Sequence, residues 1–178
     1  KKCKNYSNKK INILELAGTT NSSIANSRAS GFRSVIKKDS RFNFIHSEDG
    51  DFLRSRGKEI MDKILLQNNG LKINGKPIDV IFSHNDPMTL GLLESLNEKN
   101  ISSKNTIIIS IDAEQESIDE LKKGNLNCVV ECNPNLGPTL MDLVQKIAAG
   151  ETIPRTTYMN ETVFTENDDF STYVPRGY

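Results

Sequence analysis

The chain has 178 residues, with 23 basic and 23 acidic side chains and an isoelectric point near 6.9. This length allows one domain with a sizeable core, and the balanced charge gives no basic surface for nucleic acid or an anionic membrane. No apolar run approaches the ~18 residues that a membrane helix needs. The basic cluster at residues 1–10 is predicted to be a solvated end of the chain rather than a binding arm.

The first predicted elements are a strand at residues 11–16 and a helix after the polar turn at 17–23. Arg28 falls in the early turns of that helix, and a buried side is predicted to contain Ile24, Phe32, Val35 and Ile36.

A second strand is predicted near residues 42–47, and an acidic turn leads from it into a second helix. The second helix has an apolar face that includes Ile60 and Ile64, and it is predicted to end at residues 68–70, where asparagines and a glycine follow its last turn.

Residues 77–90 combine a strand signal with polar chemistry. The apolar run 78–82 stops at Ser83-His84-Asn85-Asp86, and a helical pattern begins at once, so the polar residues lie at the carboxyl end of a strand, where open α/β sheets bind ligands. Asn85 could donate to and accept from hydroxyl groups, while Asp86 is predicted to cap the helix and Pro87 to occupy its first turn. A helix cap and turn without a ligand is the alternative.

The remaining chain continues the alternation. The apolar run 106–111 is predicted to be a central strand covered on both faces. A charged helix at 114–123, a strand at 126–130, a helix at 136–149 and a strand near 156–164 follow, and the tail has little periodicity.

The alternation of strand and helix predicts an α/β fold of three αβα layers around a mainly parallel sheet. In such a sheet, residues that follow successive strands share one edge. The residues predicted to meet at this edge are Thr19, Phe52, Asn85, Asp112 and Cys132.

The chemistry of this edge suits a neutral ligand with several hydroxyl groups. Asp112 would accept from two hydroxyls, Arg28 would donate, and Phe52 would stack on the C–H face of a sugar. Each residue also has a purely structural interpretation, because Asp112 could cap a helix, Arg28 could pair with a surface carboxylate, and Phe52 could belong to the core.

Enzymatic signatures are missing from the sequence. There is no GxSxG, GxxxxGK[ST], GxGxxG or HExxH motif, and His46 and His84 lack the spacing of metal ligands. Asp112 at a strand end is compatible with a phospho-accepting receiver, but the acidic pair near the first strand is missing. The sequence therefore predicts a binding protein without catalytic residues, metal or cofactor.

Five segments carry a family resemblance. They are residues 14–32, 47–62, 80–96, 107–138 and the terminal PRGY. Because these segments occur in the same order as in the family, the chain resembles the C-terminal part of type I periplasmic sugar-binding proteins of the ribose/galactose kind. The resemblance is closest to the galactofuranose-binding proteins of bacterial ABC importers.

The resemblance implies a two-lobed protein that closes over a monosaccharide. By position, the sugar would be hydrogen-bonded by Arg28, Asn85 and Asp112, with Thr19 and Phe52 lining the pocket. Cys132 would lie in the cleft near a hinge, where ribose binders have glutamine, and this difference argues against assuming ribose.

The resemblance also implies a division of the chain. Residues 1–133 would form the second lobe, 134–156 would cross a hinge and supply a helix that packs on an absent first lobe, and 157–178 would return as a strand and tail. The chain is therefore expected to be a fragment or an unusual single lobe, whose exposed helix docks on a neighbouring chain or shifts position.

The implied setting is extracytoplasmic, in the periplasm or anchored to the cell envelope as a lipoprotein, with ABC permease subunits as partners and no nucleic acid. Two alternatives share the architecture. The effector domain of a LacI-type regulator would show an upstream helix-turn-helix and a dimer surface. A histidine-kinase sensor domain would continue into a membrane helix after Tyr178, and an end at PRGY argues against it.

Overall fold

A computed structural model of the protein describes residues 9–175 and 177–178. Cys3, most of the basic cluster and Arg176 lie outside the described residues. The strands are β1 (Ile11–Ala17), β2 (Phe42–Asp49), β3 (Lys72–Ile73), β4 (Lys76–Pro77), β5 (Val80–Ser83), β6 (Ile107–Asp112), β7 (Cys128–Glu131) and β8 (Val163–Thr165). The helices are α1 (Ser23–Ile36), α2 (Arg54–Asn68), α3 (Asp86–Glu98), α4 (Gln115–Lys122) and α5 (Gly137–Ala148).

The main sheet has six strands in the order β2-β1-β5-β6-β7-β8. All neighbouring pairs are parallel except β7 and β8, which run antiparallel. This arrangement confirms the predicted α/β class with a mainly parallel sheet. The strand predicted near residues 156–164 begins later and is shorter than expected. Only Val163–Thr165 form a strand, because β7, with which they pair, has just four residues.

One face of the sheet packs against α2, α3 and α4. Its core contains Leu14, Ile81 and Ile108 from the strands and Met61 and Leu92 from the helices, all at most 1% exposed. Burying apolar surface of this extent is the main favourable contribution to folding.

The opposite face packs against α1. The Phe32 ring of α1 stacks on Phe82 of β5 with 4.0 Å between ring centroids. On β6, alternate residues such as Ile107 and Ile109 are only half-buried on this face. The prediction that the 106–111 strand is covered on both faces was therefore only partly right, because α1 packs mainly on Ile11, Ile13, Val80 and Phe82 of β1 and β5.

Helix α1 buries a narrower stripe than predicted. Phe32 and Ile36 are half-buried, but Ile24 is 56% and Val35 69% exposed. At 3.6 residues per turn, Val35 and Ile24 lie about 60° and 80° around the helix from Phe32, on the side away from Ile36. The predicted burial of Ile24 and Val35 was wrong for this reason.

Helices α2 and α3 approach closely at two glycines. A Cβ atom on Gly91 would lie 2.0 Å from the Arg54 carbonyl oxygen, and one on Gly57 would lie 2.2 Å from the Met88 carbonyl oxygen. This contact fixes the position of α3 relative to α2, and the first turn of α3 follows the carboxyl end of β5. Helix α2 ends at the predicted asparagines, and Asn69 takes the left-handed conformation with φ +51°.

Helix α5 makes the least contact with the rest of the chain. None of its residues, all of which the structure describes, is buried, and Leu140, Met141, Val144 and Ile147 are 54–56% exposed. Within the described part of the chain, no helix is long and apolar enough to cross a membrane.

Candidate functional site

The site lies at the carboxyl edge of the parallel strands, where β1, β2, β5, β6 and β7 all end. Asp112 is the last residue of β6, and Cys132 directly follows β7. Thr19 and Phe52 lie in the loops after β1 and β2, and Asn85 lies between β5 and α3. We refer to these residues, together with Arg28 of α1, as the rim.

An ion pair crosses the rim. Arg28 Nη2 lies 2.8 Å from Asp112 Oδ1, and Arg28 Nη1 donates to the backbone carbonyl of His84. The two side chains are 15% and 24% exposed. Arg28 therefore pairs with the rim carboxylate rather than with a distant surface group, and the same carboxylate also accepts a hydrogen bond from the backbone of Asp86.

The Asp112 side chain does not cap a helix. The N-terminal cap residue of α4 is Glu114, which makes no side-chain capping bond. Burial raises the pKa of Asp112 above its usual value, and the charge of Arg28 opposes that rise. The ionised form thus depends on Arg28 for its stability.

Asn85 caps helix α3. Its Oδ1 accepts from Met88 N at 3.1 Å and its Nδ2 donates to the Phe52 carbonyl at 3.0 Å. The prediction that Asp86 supplies the cap was wrong, because Asn85 is the residue with the extended backbone of a cap and Asp86 already belongs to the helix. One amide hydrogen and one oxygen lone pair of Asn85 remain for a ligand.

The position of the Phe52 ring depends on the backbone conformation of its loop and on a glycine that leaves room for the ring. Asp51 and Phe52 both have positive φ angles, +53° and +60°. A Cβ atom on Gly18 would lie 2.0 Å from the Phe52 ring, so only glycine leaves room for the ring at this place. The ring centroid is 5.7 Å from the Arg28 guanidinium carbon. The half-buried ring thus contacts both the core and the rim.

The other two predicted residues are more exposed. Thr19 lines a pocket of about 400 Å³ between the start of α1 and the ends of β1 and β2. Cys132 is exposed, and its backbone N–H donates to the Asp112 carbonyl at 3.0 Å. Cys132 therefore supports the rim through its backbone, with its side chain at the surface.

Sequence reasoning missed a buried network behind the rim. Glu15, 1% exposed, accepts from Ser47 Oγ at 2.6 Å and from Arg33. His84 Nδ1 accepts from Gly18 N, so its Nε2–H points to Glu15 at 3.3 Å. A glutamate inside an apolar strand was the available signal.

This network controls the charge of its carboxylate and the place of its histidine. Burial alone would raise the pKa of Glu15, but the hydrogen bonds from His84 and Ser47 and the charge of Arg33 leave it below its ordinary value. Because the ring of His84 is held on both nitrogens, its carbonyl is fixed where Arg28 donates to it.

Asp86, which was predicted to be a helix cap, is instead a buried carboxyl that is 0% exposed. Its Oδ2 accepts from Glu114 N at 2.7 Å and its Oδ1 contacts Ser110 Oγ. Burial raises the pKa of Asp86 to about 7. The negative charge of Asp112 contributes to this rise.

Metal chemistry has no obvious place at this site. Among residues 9–175 and 177–178, there is no group of three or more His, Cys, Asp or Glu side chains that could hold a metal ion. What the rim offers is a carboxylate, a guanidinium, an amide and an aromatic ring, which together can bind hydroxyl groups and a C–H face.

Comparisons with known proteins agree on the family. Residues 1–152 match the family described as periplasmic binding protein domain. The chain is 33% identical over 152 residues to the galactofuranose-binding protein YtfQ of Escherichia coli, and 28% identical over 146 residues to the ribose import binding protein RbsB of Bacillus subtilis. These alignments cover 85% and 81% of this chain but 46% and 44% of those proteins. The chain thus spans less than half the length of these relatives.

Solved structures show the same relation. A Mycobacterium smegmatis protein in complex with β-D-fucofuranose has a TM-score of 0.79 and 35% identity, covering 92% of this chain and 53% of that one. A galactofuranose binding protein has a TM-score of 0.79 and 31% identity, covering 93% and 55%. The arabinose-transporter binding protein of Shewanella sp. ANA-3, bound to L-arabinofuranose, has a TM-score of 0.77 and 30% identity, covering 88% and 51%.

Proposed function

The chain belongs to the periplasmic binding protein domain family, and from that premise we propose that it is the second lobe of a solute-binding protein that holds one monosaccharide. The ligand would contact Arg28, Asn85 and Asp112 through its hydroxyls, with Phe52, Thr19 and Cys132 around it. In the complete protein, a first lobe would bind the opposite side of the sugar.

The observation that carries this proposal is the Arg28–Asp112 pair at the exposed end of the sheet. The pair is neutral as a unit, and its guanidinium and carboxylate, which are 15% and 24% exposed, have the donor and acceptor chemistry that binds hydroxyl groups. A neutral polyol can use both, whereas an ionic ligand would have to compete with one partner of the pair. The Phe52 ring beside Arg28 adds an apolar surface for the C–H face of a sugar.

We propose a furanose-form sugar such as galactofuranose as the ligand. The names of the similar proteins support this choice, since one is a galactofuranose-binding protein and two solved structures hold fucofuranose or arabinofuranose. Those names also describe binding and transport, which supports a non-enzymatic role for this chain.

The path of the chain supports a hinge. After β7 the chain leaves the sheet and forms α5, and it then returns to pair β8 with β7. We propose that residues 1–133 form the lobe, that 134–156 cross the hinge and pack α5 on the first lobe, and that 157–178 return as a strand and tail. Sugar bound between the lobes would shift the equilibrium between open and closed conformations toward the closed one.

The closed form would then be recognised by the permease subunits of an ABC importer. For this role we propose a location outside the cytoplasm, either free in the periplasm or anchored to the envelope as a lipoprotein. The family and the name of a relative that imports ribose support the proposal that permease subunits are the partners.

Calorimetric titration of the complete two-lobed protein tests the proposal. We expect one-to-one binding of a furanose from a panel of pentoses and hexoses in both ring forms. Loss of sugar binding in Arg28→Ala, and retention of binding in Arg41→Ala, where Arg41 pairs with Asp39 before β2 at the opposite edge of the sheet, would assign the binding to the rim. A folded protein that binds no sugar in the panel would contradict the proposal and favour a regulator or sensor role.

A further inference from the structure

Helix α3 begins with Asp86, whose carboxyl is buried. It is 0% exposed and lies between the first turn of α3 and the turn that joins β6 to α4. Its Oδ2 accepts from the backbone N–H of Glu114 at 2.7 Å, and its Oδ1 contacts the hydroxyl of Ser110. Both carboxyl oxygens are therefore engaged by the β6–α4 region.

The hydroxyl groups near Asp86 form a chain that is short of one proton. Thr89 Oγ1 lies 2.8 Å from the Asn85 carbonyl, which can only accept, and 2.7 Å from Ser110 Oγ. Ser110 Oγ in turn contacts Asp86 Oδ1. Two hydroxyl hydrogens cannot serve all three contacts. A proton on Asp86 Oδ1 completes the row, because it donates to Ser110, Ser110 donates to Thr89, and Thr89 donates to the Asn85 carbonyl.

The turn that Asp86 holds is the one that presents the rim carboxylate. Asp112 and Ala113 both have left-handed φ angles, +130° and +69°, which side chains rarely adopt without support. Asp86 Oδ2 binds the next N–H, that of Glu114, and Cys132 N binds the Asp112 carbonyl from the other side. These two bonds hold the backbone on either side of Asp112, while Arg28 and the backbone of Asp86 bind its carboxylate.

From this geometry we infer that Asp86 is a neutral carboxylic acid in the folded protein. Its O–H donates a hydrogen bond to Ser110, and Asp86 is the positioning residue for Asp112. The protonation state stands on the hydrogen-bond geometry alone, whereas the consequence for ligand binding rests on the proposed function.

The charges around Asp86 agree with a neutral group. Two acidic side chains, Asp112 at the end of β6 and Glu114 before α4, act on it with their charges. The nearby basic residues have other partners, because Arg28 of α1 pairs with Asp112, and Arg54 of α2 pairs with glutamates of α3 and α4. Burial together with these acidic neighbours raises the pKa of Asp86 to about 7. Ionisation above that pH would place a second negative charge behind the rim.

Infrared difference spectroscopy tests the protonation state without any ligand. In the complete protein at pH 6, we expect the carbonyl band of a protonated carboxylic acid, which is lost in Asp86→Asn and disappears from the wild type as pH rises through 7. Asp169→Asn, at an exposed aspartate, is the matched control and should keep the band. If the Asp86-dependent band is missing in the folded protein at pH 6, the inference is wrong.

Calorimetry with galactofuranose as the probe tests the positioning role. We expect wild-type affinity to fall at least about threefold between pH 6 and pH 8.5, and the affinity of Asp86→Asn to stay constant, because its amide nitrogen donates to Ser110 at every pH. Equal pH dependence in both proteins would overturn the role of Asp86. If galactofuranose and the other sugars bind neither protein, the proposed function and the positioning role both fail, whereas the infrared band still decides the protonation state.

Discussion

The carboxyl edge of the sheet and helix α5 differ in how many of their side chains contact other elements of this chain. At the edge, Arg28, Asn85 and Asp86 each bond to residues from another element. On α5, Leu140, Val144 and their apolar neighbours are more than half exposed. One region is thus organised within the chain, while the other has an apolar stripe that residues 9–175 and 177–178 leave exposed. We expect mutations at the edge to change binding and stability, and mutations on α5 to change association.

The largest effect is expected for Asp112→Ala in the complete protein. Asp112→Ala removes the charge-assisted hydrogen bonds that the carboxylate would accept from two sugar hydroxyls, each of about 1.5–3 kcal/mol, so we expect sugar affinity to fall by about 100-fold or more. The measurement is calorimetric titration, with Asp169→Ala as the control on an exposed loop. Unchanged affinity in Asp112→Ala would remove this residue from the site.

The next largest effect is a change of about 1–3 kcal/mol in the free energy of unfolding between acidic and neutral pH. Because the pKa of Asp86 is raised to about 7 in the folded protein, the folded state holds this proton more tightly than the unfolded state. Stability is therefore greatest below the unfolded pKa, falls as pH rises toward 7, and is level above it.

Urea unfolding of wild type and Asp86→Asn at pH 5 and pH 8 measures this effect. The wild type should lose more stability between these pH values than the variant, since the variant cannot ionise. An equal loss in the two proteins would contradict the assignment of the titration to Asp86.

The close contact of α2 and α3 gives a prediction of similar or smaller size. Gly91→Ala would place a Cβ atom 2.0 Å from the Arg54 carbonyl, and we expect it to lower the free energy of unfolding by about 1–3 kcal/mol. Gly31→Ala is the matched control, because a Cβ atom there meets open space on a helix and should stabilise by about 0.5–1 kcal/mol. Equal effects in denaturant melts would show that the two helices can separate at little cost.

The smallest change in stability is expected on α5. Val144→Glu should alter the unfolding free energy by less than about 0.5 kcal/mol, because the side chain is 54% exposed. It should nevertheless abolish self-association of this chain in sedimentation experiments. Gln145→Glu adds the same charge beside the stripe and should not. A wild-type chain that stays monomeric at high concentration would contradict docking through α5.

Much of the fold could be predicted from the sequence. The alternation of apolar runs with helical patterns gave the α/β class and a mainly parallel sheet, because strand and helix periods are local properties of the chain. The same alternation predicted that Asn85 and Asp112 share one edge. The apolar stripe of α5 was also visible in sequence, but its exposure followed only from the path of the chain after β7.

The sequence alone determined which residues reach the carboxyl edge, since each strand end is marked by a local change from apolar to polar residues. Only the tertiary structure decided their partners. It gave the helix cap to Asn85 instead of Asp86, paired Arg28 with Asp112, and placed Glu15 and Asp86 in buried networks. The physical reason is that hydrogen bonds and ion pairs form between groups far apart in the chain, at distances that depend on how the helices pack on the sheet.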